Sequence, residues 1–203
     1  MIKNKIVIGS ANFSLDYGLA NNYKKISMSE IKKILKKCED KKINFIDTAK
    51  GYGESEQIIG NQAKKKWNVI TKIPKINYKN KVEIENFILK LVYDSLEKLK
   101  IKKLYAVLLH DENQLLRNNS NLVYSALKNL KRKNIINKIG VSFYTPKKLI
   151  KIISKFHLDI VQVPVNYINQ SFLEKKIIKK LKNKKIEIHA RSIFLQGLLL
   201  KKD

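Results

Sequence analysis

The chain has 203 residues, 44% of them hydrophobic, and a formal net charge of +26. That length suits one domain, and the apolar content excludes a disordered chain. The charge invites a nucleic-acid or membrane reading, but its make-up argues otherwise. Of the 43 basic residues 40 are Lys and three are Arg, beside 29 Ile and 20 Asn. Lys, Ile and Asn share A/T-rich codons, so a low-GC genome gives this bias without selection for a polyanion. A nucleic-acid surface more often uses Arg for planar, bidentate contacts. The lysine spacing suits solvated helix faces, so no specific nucleic-acid partner is expected. A polyanion-binding module is a rival reading, and it requires clustered lysines and steep salt dependence. Cys38 stands alone, which leaves no disulfide framework and no cysteine-based metal site. Met1-Ile2-Lys3-Asn4-Lys5 lacks the features of a signal peptide. No uncharged apolar run reaches the ~20 residues of a membrane span. A cytoplasmic protein without a membrane partner is expected.

Taken in chain order, seven strand-like runs alternate with helical patterns. The first strand is expected over Lys5–Ser10. Ser27-Met28-Ser29-Glu30 reads as a capping box, opening a helix striped by Ile31, Ile34, Leu35 and Cys38. The second strand, Ile43–Ala49, carries Asp47 near its end and runs into a glycine-flanked loop with Tyr52. The third, Trp67–Ile73, presents Lys72. A longer helix follows, with Ile84, Phe87, Ile88, Leu91 and Ser95 on one stripe. The fourth strand, Leu104–His110, ends on His110. Val123, Ala126, Leu127 and Leu130 mark the next helix, and Lys138–Phe143 the fifth strand. Thr145-Pro146 reads as an N-cap with proline at the first helical position. Asp159–Val165 is the sixth strand and Ile186–Ser192 the seventh, separated by a helix bearing Leu173, Ile177, Ile178 and Leu181.

Strict alternation demands a parallel sheet, and the near-continuous apolar runs suit strands covered on both faces. An open dinucleotide-binding sheet should carry Gly-x-Gly-x-x-Gly after its first strand. Here the segment is Gly9-Ser10-Ala11-Asn12-Phe13-Ser14. An acid, a phenol, an amine and an imidazole at three successive strand ends fit a barrel, whose site draws on several strands. The expected fold is a TIM-type (β/α)8 barrel, one domain over residues 1–203, with seven strands visible. A full barrel has about 250 residues, so the eighth βα unit is expected to be missing. Open edges at the first and seventh strands would then favour self-association or a covering partner.

Asp47-Thr48-Ala49-x-x-Tyr52-Gly53-x-Ser55-Glu56, then Thr71-Lys72, then Leu109-His110, resemble the core motifs of the aldo-keto reductases. Gly140-Val141-Ser142 resembles the family's fifth-strand motif and Val161-Gln162-Val163-Pro164-Val165-Asn166 its sixth. Ala190-Arg191-Ser192, followed by Gln196-Gly197-Leu198-Leu199, resembles its seventh strand and loop. The resemblance implies hydride transfer between NADP(H) and a small aldehyde, ketone or sugar-like substrate, with NAD(H) the alternative cofactor and no metal. A catalytically inactive barrel fragment that needs a partner is the rival within this fold.

The chemistry follows its own logic. Hydride delivery to a carbonyl carbon leaves charge on oxygen, which a proton donor must meet. Tyr52 is the expected acid, and Lys72 is expected to lower its pKa by favouring the phenolate. Asp47 would hold Lys72, and His110 would orient the carbonyl oxygen. For the cofactor, the resemblance implies that Ser142 and Gln162 hold the nicotinamide carboxamide. Phe143 stands where the family usually has an asparagine. Arg191 stands where it usually has a tyrosine stacked on the nicotinamide. A guanidinium can also stack, attract a pyrophosphate or a substrate anion, or pair with a rim carboxylate. Gly9 should allow close approach of the first loop, and Asp47 and Ser192 complete the expected cofactor set. His157 and His189 have no motif around them and read as structural. The adenosine half of the cofactor would fall in the missing segment.

Overall fold

A computed structural model describes residues 5–18, 24–62 and 67–200. Its elements alternate as β1 (Ile8–Gly9), α1 (Met28–Asp40), β2 (Phe45–Asp47), α2 (Ser55–Gln62), β3 (Asn68–Ile73), α3 (Lys81–Leu99) and β4 (Leu104–Leu109). They continue as α4 (Ser120–Arg132), β5 (Ile136–Ser142), α5 (Pro146–Lys155), β6 (Ile160–Pro164), α6 (Lys175–Asn183) and β7 (Glu187–Arg191). The seven strands form one sheet in sequential order, and every neighbouring pair is parallel. A doubly wound sheet reverses its strand order at a switch point; this one never does. It curls in one direction as an incomplete (β/α)8 barrel. Among the described residues β1 pairs only with β2, and β7 only with β6. No described helix is long and apolar enough to cross a membrane.

Local chemistry sets the boundaries. The Ser27 hydroxyl accepts from the Glu30 N–H, and the Glu30 carboxylate accepts from the Ser27 N–H at 2.9 Å, so the capping box forms. Pro146 takes the first position of α5, but Thr145 does not cap it with its side chain. Its hydroxyl donates instead to Glu112 at 2.6 Å. Two strand and helix expectations shrink. β1 is limited to Ile8–Gly9 because β2 offers it only Ile46 and Asp47 as partners. Leu173 lies in a 3-10 turn before α6 and is half-exposed, because the extended backbone at Glu174 breaks the helical run.

Side chains divide into two layers. The larger one, including Ile31, Leu35, Cys38, Ile84, Ile88, Val107 and Leu127, fills the space between the strands and the helices. The smaller lies inside the curl, where Ile70, Ala106, Leu108 and Ile160 meet. Strand alternation puts Lys138, beside Ala106, and Glu187, beside Ile160, on that inner face. There Lys138 and the Tyr105 hydroxyl both bond Glu187, and His189 joins it at 2.5 Å. Burial opposes the Glu187 carboxylate, yet the donors from His189, Lys138 and Tyr105 outweigh it and hold its pKa at about 2. His189 thus serves this inner cluster. His157 is largely exposed; its backbone carbonyl accepts from the Tyr124 hydroxyl at 2.6 Å, and its Nε2 lies 3.9 Å from Asp159 Oδ1.

Gly140 also faces inward, between Leu108 and Ile160. A methyl group there would lie 2.4 Å from the Ile160 carbonyl oxygen, which is backbone and cannot turn aside. At Gly9 an added methyl would meet nothing within 4 Å. Gly140→Ala should therefore lower stability to urea by about 1–3 kcal/mol, as overpacking does. Gly9→Ala should stay within roughly 0.5 kcal/mol of the native protein. Equal midpoints for the two variants would contradict this packing.

Candidate active site

Asp47 closes β2, Lys72 lies near the end of β3, and His110 directly follows β4. The loop from Thr48 to Glu54 is clamped to the sheet between them. The Thr48 N–H donates to the Ile70 carbonyl at 2.8 Å, and the Lys50 N–H to the Lys72 carbonyl at 3.1 Å. The Ser55 hydroxyl fastens the far end of the loop to the Ser10 carbonyl at 2.8 Å. Gly53 turns the chain at φ +57°, and a methyl there would lie 2.6 Å from the Ser14 hydroxyl. That hydroxyl accepts from the Glu54 N–H at 2.8 Å. Glycine at position 53 thus meets two demands, a left-handed backbone and close approach. The result is a fixed position for Tyr52.

Lys72 is 1% exposed. Its ammonium donates to Asp47 Oδ2 at 2.5 Å, to the Thr48 carbonyl at 3.0 Å and to the Tyr52 hydroxyl at 3.4 Å. The other oxygen of Asp47 accepts from Gln162 Nε2 at 2.8 Å, and the Ser142 hydroxyl lies 3.5 Å from Gln162 Oε1. One polar chain therefore runs Ser142–Gln162–Asp47–Lys72–Tyr52 across β5, β6, β2 and β3. The His110 ring stands edge-on to Tyr52 with centroids 6.1 Å apart. Among the described residues its ring nitrogens carry no hydrogen bond. The four residues expected to work together are brought together.

One electrostatic expectation fails. The pKa of Tyr52 is raised, not lowered. Burial is the largest cause, because it strips water from a phenolate; Asp47 follows, then Tyr17 and Tyr144, with Arg191 opposing. Lys72 cannot win because Asp47, in direct contact, cancels most of its field. His110 moves the other way. Burial and then the Lys72 charge depress its pKa, so it is a neutral imidazole at neutral pH.

The remaining expected residues fall around this centre. Gly9 of β1 pairs with Asp47, and a methyl added there would meet no protein atom within 4 Å, so the space over it is open. Phe143 is fully buried and contributes only backbone, its carbonyl accepting from Arg191 Nη2 at 3.1 Å. Arg191 lies with its guanidinium 4.3 Å above the Tyr144 ring and pairs with no carboxylate among the described residues. Ser192 follows in the left-handed region, with its hydroxyl 3.5 Å from Arg191 Nη1. The described residues contain no group of three or more His, Cys, Asp or Glu placed to hold a metal ion.

Sequence reasoning missed a second network behind the first. Glu56, on the first turn of α2, accepts from the Thr71 hydroxyl at 2.7 Å and from Lys50 at 3.2 Å. Lys50 also bonds Asp94 of α3. Thr71 and Lys72 are adjacent on β3, so they point to opposite faces. The strand is held from inside by Asp47 and from outside by Glu56. The available signal was an acid three residues after Gly53, at a helix start beside an apolar strand. Tyr17 and Tyr144 were missed too; Tyr144 stands two residues after Ser142, which ends the fifth-strand motif.

A family model described as the aldo/keto reductase family matches residues 5–203. The chain belongs to that family. Solved structures agree on the aldo-keto reductase fold. A Pseudomonas aeruginosa protein assigned to the aldo-keto reductases has 23% identity and a TM-score of 0.74, covering 92% of this chain and 72% of its own. A glycerol dehydrogenase from Gluconobacter oxydans has 22% identity and a TM-score of 0.70, covering 95% and 61%. An aldo-keto reductase from Bombyx mori in complex with NADP has 16% identity and a TM-score of 0.67, covering 92% and 62%. The chain thus spans 61% to 72% of these three structures. Comparison with curated protein sequences finds no match.

The Lys72–Asp47 pair is the part of this reductase-family site most sensitive to single changes. Removing one partner of a buried ion pair typically costs about 3–5 kcal/mol. Asp47→Asn and Lys72→Met should each destabilise on that scale. The double variant should fall short of their sum by on the order of 2 kcal/mol. Urea unfolding of all four proteins tests this, and additivity would contradict the pairing.

Proposed function

We propose that this chain is an NADP(H)-dependent oxidoreductase that reduces small aldehydes, ketones or sugar-like carbonyls, or runs the reverse reaction. Residues 1–203 would act as one barrel domain. The observation that carries the reading is the Lys72 ammonium shared between Asp47 and the Tyr52 hydroxyl, with the His110 ring at the edge of Tyr52. Family membership supports hydride chemistry, and the bound NADP of the Bombyx mori structure supports the choice of cofactor. The residues present fit the nicotinamide end. Ser142, at the end of β5, and Gln162, in the middle of β6, are buried side by side, with donor and acceptor atoms suited to a carboxamide. The open space over Gly9 leaves room beside Asp47, and Arg191 and Ser192 extend the rim. NAD(H) would use the same residues.

When bound, the reduced nicotinamide supplies the hydride. The chain's own groups handle oxygen and proton. Neutral His110 donates an N–H to the carbonyl oxygen and orients it. Tyr52, kept protonated by burial, releases its proton to that oxygen as negative charge develops. The phenolate left behind is met by Lys72, which Asp47 holds in place, and a proton from water restores it. A phenol kept protonated by burial keeps its proton until the substrate oxygen, growing more basic as hydride arrives, draws it away.

The test is NADPH oxidation with a panel of small aldehydes, comparing the native protein with Tyr52→Phe. The phenylalanine variant should keep its circular dichroism spectrum and lose about 10²–10⁴-fold in rate, the typical contribution of a proton donor. Undiminished turnover would remove Tyr52 from this role.

A further inference from the structure

We propose that Arg191 recognises an oxyanion carried by the substrate, so that the preferred carbonyl compounds bear a carboxylate or phosphate. This rests on the carbonyl site proposed above. Arginine is scarce here, three residues against 40 lysines, so each place it holds is unusual for the composition. Arg117 is accounted for by its ion pair with Asp111 at 2.8 Å. Arg191 has no such counterion among the described residues.

The side chain is nevertheless fixed. Its plane stacks 4.3 Å above Tyr144, Nη2 donates to the Phe143 carbonyl at 3.1 Å, and Nη1 lies 3.5 Å from the Ser192 hydroxyl. Its Nε–H is buried with no partner. A guanidinium has five donors, so engaged contacts leave part of the fork, and the whole charge, unsatisfied. Unpaired buried donors call for a partner, and a planar fork held in place suits a carboxylate or phosphate. The location matters as much. The Arg191 charge acts on both Tyr52 and His110. The acid at this centre, Asp47, is already bonded to Lys72 and Gln162. Tyr17 and Tyr144 act on Tyr52 as well, and both are exposed. An anionic substrate group beside the reacting carbonyl would therefore find an unmatched positive charge among phenols.

The same charge could instead meet the cofactor's pyrophosphate, so the experiment separates the two sources. The native 203-residue protein is titrated with 4-(hydroxymethyl)benzoate, benzyl alcohol and inorganic pyrophosphate. Alcohols are used because lysine amines would condense with aldehydes. The readouts are NMR signals of the Arg191 Nε–H and the Tyr52 ring. The benzoate should bind about tenfold more tightly than benzyl alcohol, the gain of one charge-assisted hydrogen bond, and should shift both signals. In Arg191→Met the tenfold preference for the benzoate over benzyl alcohol should disappear. If the variant does not fold, the Nε–H shift in the native protein still decides. Equal binding of benzoate and benzyl alcohol overturns the inference while leaving the carbonyl site intact. So does a response of Arg191 to pyrophosphate alone. A benzoate that shifts Arg191 but not Tyr52 supports the oxyanion site and counts against the carbonyl site. Absence of any response to the three probes overturns both.

Discussion

An ammonium enclosed in the wall of a barrel must be compensated, and the arrangement at the rim follows from how Lys72 is satisfied. Burying a charge costs several kcal/mol unless partners replace its water. Three oxygens do so here, from Asp47, the Thr48 backbone and Tyr52. They come from β2 and the loop after it, so strand, loop and phenol take their positions from one cation. Asp47 then passes the constraint to Gln162 on β6, and through it toward Ser142 on β5. Glu56 adds a hold on the outer face of β3 through Thr71 and ties the same loop by way of Lys50. A loop that would otherwise be the mobile part of the barrel is fastened on both sides.

That packing explains an electrostatic outcome that intuition about a tyrosine beside a lysine misses. Proximity of an ammonium lowers a phenol's pKa only if its field reaches the oxygen uncompensated. Here the carboxylate that makes burial of Lys72 tolerable also screens it, and loss of water does the rest. Tyr52 rests as a full phenol and His110 as a neutral imidazole. Both are hydrogen-bond donors toward a common space, which suits an oxygen acquiring negative charge.

Much of this was legible in the residues. Alternation of apolar runs with helical stripes gave the parallel sheet, and Asp47, Tyr52, Lys72 and His110 at strand ends gave the centre. Boundaries were less legible where tertiary pairing decides them. β1 is short because β2 offers it little to pair with, and α6 starts late because of one extended residue, Glu174. The network of Lys50, Glu56 and Asp94 escaped notice because ion pairs spanning a loop and two helices leave no periodic trace. The pairing of Arg191 with Tyr144 joins β7 to the segment after β5, a contact only the curl of the sheet creates.

The account turns on the resting state of Tyr52. A carbon-13 NMR titration of the tyrosine ring signals, with Tyr52→Phe to assign the resonance, measures it directly. The expected result is a Tyr52 signal that titrates clearly above the ordinary phenol pKa of about 10 and moves down in Asp47→Asn, if that variant remains folded. A Tyr52 signal titrating below the ordinary value in the native protein would mean that the Lys72 field dominates. It would contradict the balance of burial and Asp47 charge on which the account rests.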